Sequence, residues 1–189
     1  MPRITEKTTM NDLAAMVSEA LEEAGIVATL SGGGAVSAYT ENRYESTDLD
    51  FVTTALRAEL EPVLAPLGFV HTGAPRLSVF EHPGTDWYLE FPAAPLAFGR
   101  TYIDVSQCSW LLTPAGRVRI VTPTHSVMDR LIAAASWQDP QALEQARLVA
   151  IHQSDRIDWE EIDEWVAAEG IASAPEVVEL YRSVGRPLP

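Results

Sequence analysis

The chain has one cysteine, Cys108, and one lysine, Lys7. A lone cysteine excludes an intramolecular disulfide and argues against a thiolate zinc site, which needs several sulfur ligands. Cys108 stands between Gln107 and Ser109 with no nucleophile signature and reads as a small buried residue. With lysine all but missing and the arginines scattered, there is no basic stripe to neutralise a nucleic-acid backbone. No run of about 18 apolar residues occurs, so no membrane-spanning helix is expected. The opening stretch MPRITEKTTMNDL lacks the apolar segment of a secretory signal, and a cytoplasmic location is the expectation. His71, His82, His125 and His152 show no metal-ligand spacing and read as surface or capping residues. Neither a Walker-type phosphate loop nor a Ser/His/Asp arrangement occurs.

Acidic side chains are plentiful: 27 Asp and Glu against 13 Lys and Arg leave a net charge of −14. A surface of that sign suits a cationic small substrate or a basic protein partner better than a polyanion, and also serves plain solubility. At 189 residues the chain can form one domain with a substantial core, or a core with a helical appendage.

Hydrophobic spacing sets the expected elements. Leu13, Met16, Val17, Leu21 and Ala24 recur at helical intervals in NDLAAMVSEALEEAG, with Gly25 as the stop. IVATLS (26–31) is a strand, AVSAY one or two helical turns, and TDLDFVT (47–53) a second strand. ALRAELEPVLAPLG is a helix interrupted near Pro62 and Pro66. From 69 to 121 the pattern is β-like: FVHTG, RLSVFEH, DWYLEFP, TYIDVS, SWLLT and RVRIVTP, separated by turn-rich segments. Helices follow. Thr122-Pro123 and Asp139-Pro140 each place an N-cap before a proline at the first helical position. Asp158 with Glu161, and Ser173 with Glu176, fit capping boxes. Trp137, Trp159 and Trp165 fall at helical positions expected in the core. The fold class is therefore α/β (α+β): a mixed β-sheet flanked by helices over 1–121, then a four-helix C-terminal part over 122–189 packed on it.

One stretch, LSGGGAVSAYTENRYESTDLDFV (30–52), carries costs that a purely structural segment has no reason to accept. Three consecutive glycines weaken regular structure. Two carboxylates two positions apart on a strand face the same way and repel. Both costs have a ligand-side explanation. A Gly32-Gly33-Gly34 turn between strand and helix lets backbone N–H groups approach an anion, and the positive end of the helix suits a triphosphate. Asp48 and Asp50, with Leu49 and Phe51 facing the core, can share a divalent cation. Mg²⁺ (or Mn²⁺) binds through one or two carboxylates plus substrate phosphates. A third carboxylate is expected from a neighbouring strand. In DWYLEFP, Glu90 shares a face with Tyr88 while Trp87, Leu89 and Phe91 take the other, and Glu is unfavourable inside a strand without a partner. Asp104 in TYIDVS is the competing candidate, and the plain reading of Glu90 is a surface residue on an edge strand.

A hydrophobic residue, a glycine pair, a short helix and then Asp-hydrophobic-Asp-hydrophobic resembles the nucleotidyltransferase superfamily with the polymerase-β-like fold. GGGAVSAYTENRYESTDLDFV is most similar to its minimal bacterial and archaeal branch, which includes AbiEii-type toxins, with Arg43, Ser46 and Thr47 between the glycines and the acids. LEFPAAPLAFG and TPTHSVMDRLIAAASWQDPQALEQARLVA also resemble segments of small nucleotidyltransferase-like proteins, so the likeness runs from about 26 to 170. The resemblance implies transfer of an NMP from an NTP to an acceptor hydroxyl, with release of pyrophosphate. It makes Asp48, Asp50 and Glu90 the catalytic metal ligands, and Gly32, Gly33, Gly34, Arg43, Thr47 and Arg130 the nucleotide-binding residues. The implied acceptor is RNA (a toxin acting on a tRNA end), a protein side chain or a cationic small molecule as in resistance, and the charge favours the last two. One departure stands out. The toxin branch has a lysine in the helix after the sheet, where this chain offers Arg130. Arginine grips phosphate bidentately but is not interchangeable with lysine. The other reading of Asp129 and Arg130 is an ion pair fixing the helical part on the sheet. That departure leaves a second functional reading: a nucleotidyltransferase-like binding or regulatory module without catalysis, serving a protein partner or acting as a homodimer.

Overall fold

A computed structural model describes residues 4–73, 78–137 and 139–189. In chain order its elements are α1 (Met10–Glu23), β1 (Ala28–Ser31), α2 (Gly32–Tyr39), β2 (Asp48–Thr53), α3 (Arg57–Leu64), β3 (Val70–His71), β4 (Val79–Glu81), β5 (Tyr88–Glu90), β6 (Ala97–Phe98), β7 (Thr101–Tyr102), β8 (Ser109–Thr113), β9 (Gly116–Ile120), α4 (Pro123–Trp137), α5 (Pro140–His152), α6 (Trp159–Glu169) and α7 (Pro175–Ser183). Seven strands form one mixed sheet in the order β3-β4-β5-β2-β1-β9-β8, the α/β class expected. β2 runs antiparallel to β1 and parallel to β5, and β1 runs parallel to β9. β6 and β7 make a separate two-stranded ribbon.

The alternation of β2 explains its register. Leu49 and Phe51 are fully buried, while Asp48, Asp50 and Val52 lie half-buried on the opposite face. Burying a Leu or Phe contributes about 1.5–3 kcal/mol each. A one-residue slip would exchange the two faces, so the apolar pair secures the direction of the acids. Leu30, Leu89, Val118 and Ile120 join the same core, against which α1 lays Leu13, Val17 and Leu21. α4 packs along α5, and both touch α2. No helix among the described residues is long and apolar enough to cross a membrane.

Several local expectations change. The three glycines are not a turn ahead of α2 but its first turn, with Ser31 as N-cap. The strand read over TYIDVS ends at Tyr102, because Asp104 caps a short 3-10 turn over 105–107. The strand read over RLSVFEH is seen from Val79, and Arg76 and Leu77 lie outside the described residues. Ser173 does not cap α7; Ala174 precedes Pro175 at the first helical position instead. Asp158 does accept the Glu161 N–H, but the Glu161 carboxylate turns to His125 Nε2 at 2.9 Å rather than back to its own cap. His125 is therefore neither surface nor cap: it is buried on α4 beside Phe98. Trp137 is 81% exposed. It is the last residue of α4. Trp165 is buried as expected, Trp159 packs on Tyr181, and Cys108 is only half-buried.

Candidate active site

Asp50 pairs with Ser31 across β1 and with Glu90 across β5, while Asp48 pairs with Tyr88. In-register neighbours in a sheet project side chains to the same face, so the three acids meet. One carboxylate oxygen each from Asp48, Asp50 and Glu90 lies within 4.8 Å of the others. Asp104 lies elsewhere. Its exposed carboxylate accepts the Ser106 N–H at 2.8 Å and the Ser106 hydroxyl at 2.6 Å, which holds it below the usual carboxylate range.

Crowding shows in the proton affinities. Asp50 is pushed up to about 7, first by burial and then by the charges of Asp48 and Glu90, with Arg130 pulling the other way. Glu90 is raised by burial and by Asp48. Among the described residues nothing donates a hydrogen bond to the Asp50 or Glu90 carboxyl, and Asp48 accepts one from Ser46 Oγ at 2.7 Å. Lone pairs therefore remain on all three. A set of hard, mutually repelling oxygen donors fits Mg²⁺ or Mn²⁺, whose charge removes the repulsion.

The glycines are explained by what surrounds them. Gly32 has φ 59°, and a Cβ there would overlap Asp50 Oδ2. At Gly33 a Cβ would come within 2.6 Å of Ser46 Oγ, and at Gly34 within 3.0 Å of Leu49 Cδ2. α2 thus presses onto β2 at the acids, and side chains on its first turn would push them away. The Gly32 N–H is taken by Asp129 Oδ2 at 3.2 Å, which also accepts the Ser31 hydroxyl at 3.3 Å. The Arg130 guanidinium donates to that same oxygen at 3.0 Å and to Gln145 Oε1 at 3.4 Å. The ion pair foreseen for Asp129 and Arg130 forms, and its carboxylate caps the strand–helix junction. Arg43 and Thr47 lie exposed on the loop between α2 and β2; the Thr47 carbonyl accepts the Tyr88 N–H at 3.3 Å.

A cleft of about 310 Å³ opens beside Asp50, between Ser31 and Gly32, the strap 92–98, and Asp129 and Arg130 of α4. The strap is tied down at both ends. Thr53 donates its N–H to the Pro92 carbonyl at 3.2 Å and accepts the Ala94 N–H at 2.9 Å. At the far end the Trp165 indole donates to the Phe98 carbonyl at 3.1 Å. Glu169 accepts the Arg100 N–H at 3.1 Å and the Thr101 hydroxyl at 2.8 Å. Sequence reasoning did not single out Asp129 as a cap, nor Trp165 and Glu169 as anchors. Their contacts span 67 to 98 residues and leave no local signal.

Searches of family models and of curated proteins return no match for this chain. Solved structures do match. The antibiotic-resistance factor ANT(2'')-Ia in solution superposes with a TM-score of 0.59 at 18% identity, over 87% of this chain and 92% of its own. The crystal structure of ANT(2'')-Ia with adenylyl-2''-tobramycin gives 0.56 at 19% identity, over 84% and 95%. An antigenic nucleotidyltransferase-like protein from Paracoccidioides brasiliensis gives 0.60 at 12% identity, over 95% and 94%. Mixed sheet, helical flanks and neighbours agree: this chain has the nucleotidyltransferase fold.

Proposed function

We propose that the protein is a metal-dependent nucleotidyltransferase that moves an NMP from an NTP onto a hydroxyl of a small cationic acceptor. The observation that carries this reading is the convergence of Asp48, Asp50 and Glu90 against the first turn of α2. Those three residues would hold Mg²⁺ or Mn²⁺, which would supply charge neutralisation on the transferring phosphate and favour loss of the acceptor's proton. Gly33 and Gly34 offer first-turn N–H groups, and the positive end of α2 favours the triphosphate. Arg130 supports the leaving pyrophosphate in the role that lysine takes in the toxin branch, and Arg43 and Thr47 contact the nucleotide from their exposed loop. Glu90 accepts the acceptor hydroxyl's proton as the O–P bond forms and the Pα–O bond to pyrophosphate breaks. Catalysis is then chiefly positioning and charge neutralisation.

The acceptor class follows from charge. Asp50 lines the cleft beside the ion-paired Asp129 and Arg130, the chain as a whole has a net charge of −14, and ANT(2'')-Ia has been seen in complex with adenylyl-2''-tobramycin. Absence of a basic stripe makes RNA the poorer fit. The place of action under this proposal is the cytoplasm, where NTPs are abundant. Asp129 on the Gly32 N–H, at the helix end that receives phosphate here, favours one other reading: a nucleotidyltransferase-like binding or regulatory module without catalysis, for a protein partner or as a homodimer.

Thermal-shift scans with each NTP, with and without MgCl₂ or MnCl₂, and transfer of α-labelled NTP to an aminoglycoside panel test both readings. A metal-dependent shift with transfer supports the enzyme. A shift without transfer to any acceptor, or no shift with any NTP, removes the enzyme and favours the module.

A further inference from the structure

The sheet face that carries the acids continues past them, and its chemistry changes abruptly. Along β1 and β2 the in-register pair Ser31–Asp50 is followed by Thr29–Val52 on the same face, about 7 Å further along the strands. Beyond it stands Val27. This stretch lines a second chamber of about 210 Å³ together with Leu96, Ile103 and Val105. Val52, Pro95 and Leu96 line both this chamber and the cleft at Asp50, so the two adjoin.

Apolar side chains predominate around the second chamber, and Asp104 is the one charged residue in its lining. Asp104, at its rim, has its carboxylate turned to Ser106. The Thr53 hydroxyl is spent on the Val27 carbonyl at 2.7 Å. At the mouth Val27 is 52% exposed and Val105 38% exposed, an apolar surface in contact with water that a ligand would cover. An apolar cavity of about 150 Å³ takes a benzene ring. This one has room for a ring with a substituent or for a branched alkyl group.

We propose that this chamber receives an apolar arm of the acceptor, which makes the substrate an amphipathic hydroxyl compound and not a uniformly polar one. The proposal rests on the nucleotidyltransferase reading for the word acceptor, but the chamber's affinity for apolar groups does not. The reacting hydroxyl lies at Asp50 and Glu90, and the arm leaves it by about one residue pair along the strands, about 7 Å.

The test uses the full chain and a series of alkyl β-glucosaminides, methyl to hexyl, below their micelle concentrations, whose ammonium group matches the cationic acceptor proposed above. Calorimetric titration without metal or nucleotide is expected to show Kd falling about fourfold per added methylene until the chamber fills. Val27→Trp and Val105→Trp, both at exposed positions on the mouth, are expected to flatten that slope while leaving methyl glucosaminide binding and Tm unchanged. A Kd independent of chain length, or a slope that survives both variants, overturns the proposal. With MgCl₂ and the preferred NTP, kcat/KM for the same alcohols is expected to follow the same order, and an order that ignores chain length overturns the assignment to the acceptor. Because the titration needs neither metal nor NTP, a chain that transfers nothing fails the function while its chamber is still judged by the slope.

Discussion

Gly25 and Gly32 stand on either side of β1, and both hold a left-handed backbone, at φ 76° and 59°. Their surroundings differ. Gly25 closes α1: its N–H bonds the Glu22 carbonyl at 2.9 Å, and the Ile26 N–H reaches back to Leu21 at 2.8 Å. A Cβ there would meet nothing within 4 Å. At Gly32 a Cβ would overlap a carboxylate oxygen of Asp50. One glycine supplies a dihedral angle that ends a helix; the other clears a volume for a charged group. Four residues of strand separate a folding device from a chemical one.

The strongest way to break that distinction is to remove the group for which Gly32 makes room. Asp50→Asn, and Asp48→Asn beside it, are expected to lower transfer from labelled NTP by at least about 10³-fold, the scale of lost metal-assisted charge stabilisation, with circular dichroism unchanged. Full activity in either variant would end the catalytic reading of β2. Gly32→Ala is expected to cost about 10²-fold in kcat/KM, the effect of moving a reacting group by about 1 Å. Urea unfolding sharpens the point. In an Asp50→Ala background the same glycine substitution is expected to cost only the left-handed backbone term, about 1 kcal/mol. Equal costs in the two backgrounds would show that Gly32 accommodates something other than Asp50.

A smaller effect is expected from pH. Asp50 is pushed up to about 7 by burial and by Asp48 and Glu90. Its folded-state value lies above that of the unfolded chain, so the neutral form favours the fold. That contribution is full below a pH of about 4 and is lost as pH rises through about 7. The metal-free protein is therefore expected to melt lower at pH 8 than at pH 6, and MgCl₂ to raise Tm more at pH 8. An equal MgCl₂ effect at both values would argue that Asp50 does not ligate the ion. The smallest change belongs to the other glycine. Gly25→Ala is expected to lower stability by about 1 kcal/mol and to leave kcat/KM unchanged; an activity loss there would erase the contrast.

The two aspartates were legible because strand alternation is a local rule: once Leu49 and Phe51 face inward, Asp48 and Asp50 must face outward together. Glu90 was half-legible. Alternation separated it from Leu89, but only the parallel pairing of β2 with β5 sets it opposite Asp50, and strand order is not written in either segment. The glycines were recognised as special for their backbone, whereas their tightest constraint is the space held by Asp50, Ser46 and Leu49. His125 misled because a position just after Thr122-Pro123 reads as a helix end near solvent, and burial there comes from Phe98 and Glu161, far along the chain.

The strap over the cleft is fastened by backbone bonds to Thr53 at one end and by Glu169 and Trp165 at the other. None of the three acids takes part in holding it. Residues between those fastenings can change in size and shape without disturbing β2 and β5, so under the proposed function selectivity can drift while chemistry stays put. A lineage built on this chassis could meet a new alcohol by rewriting about half a dozen positions in one segment.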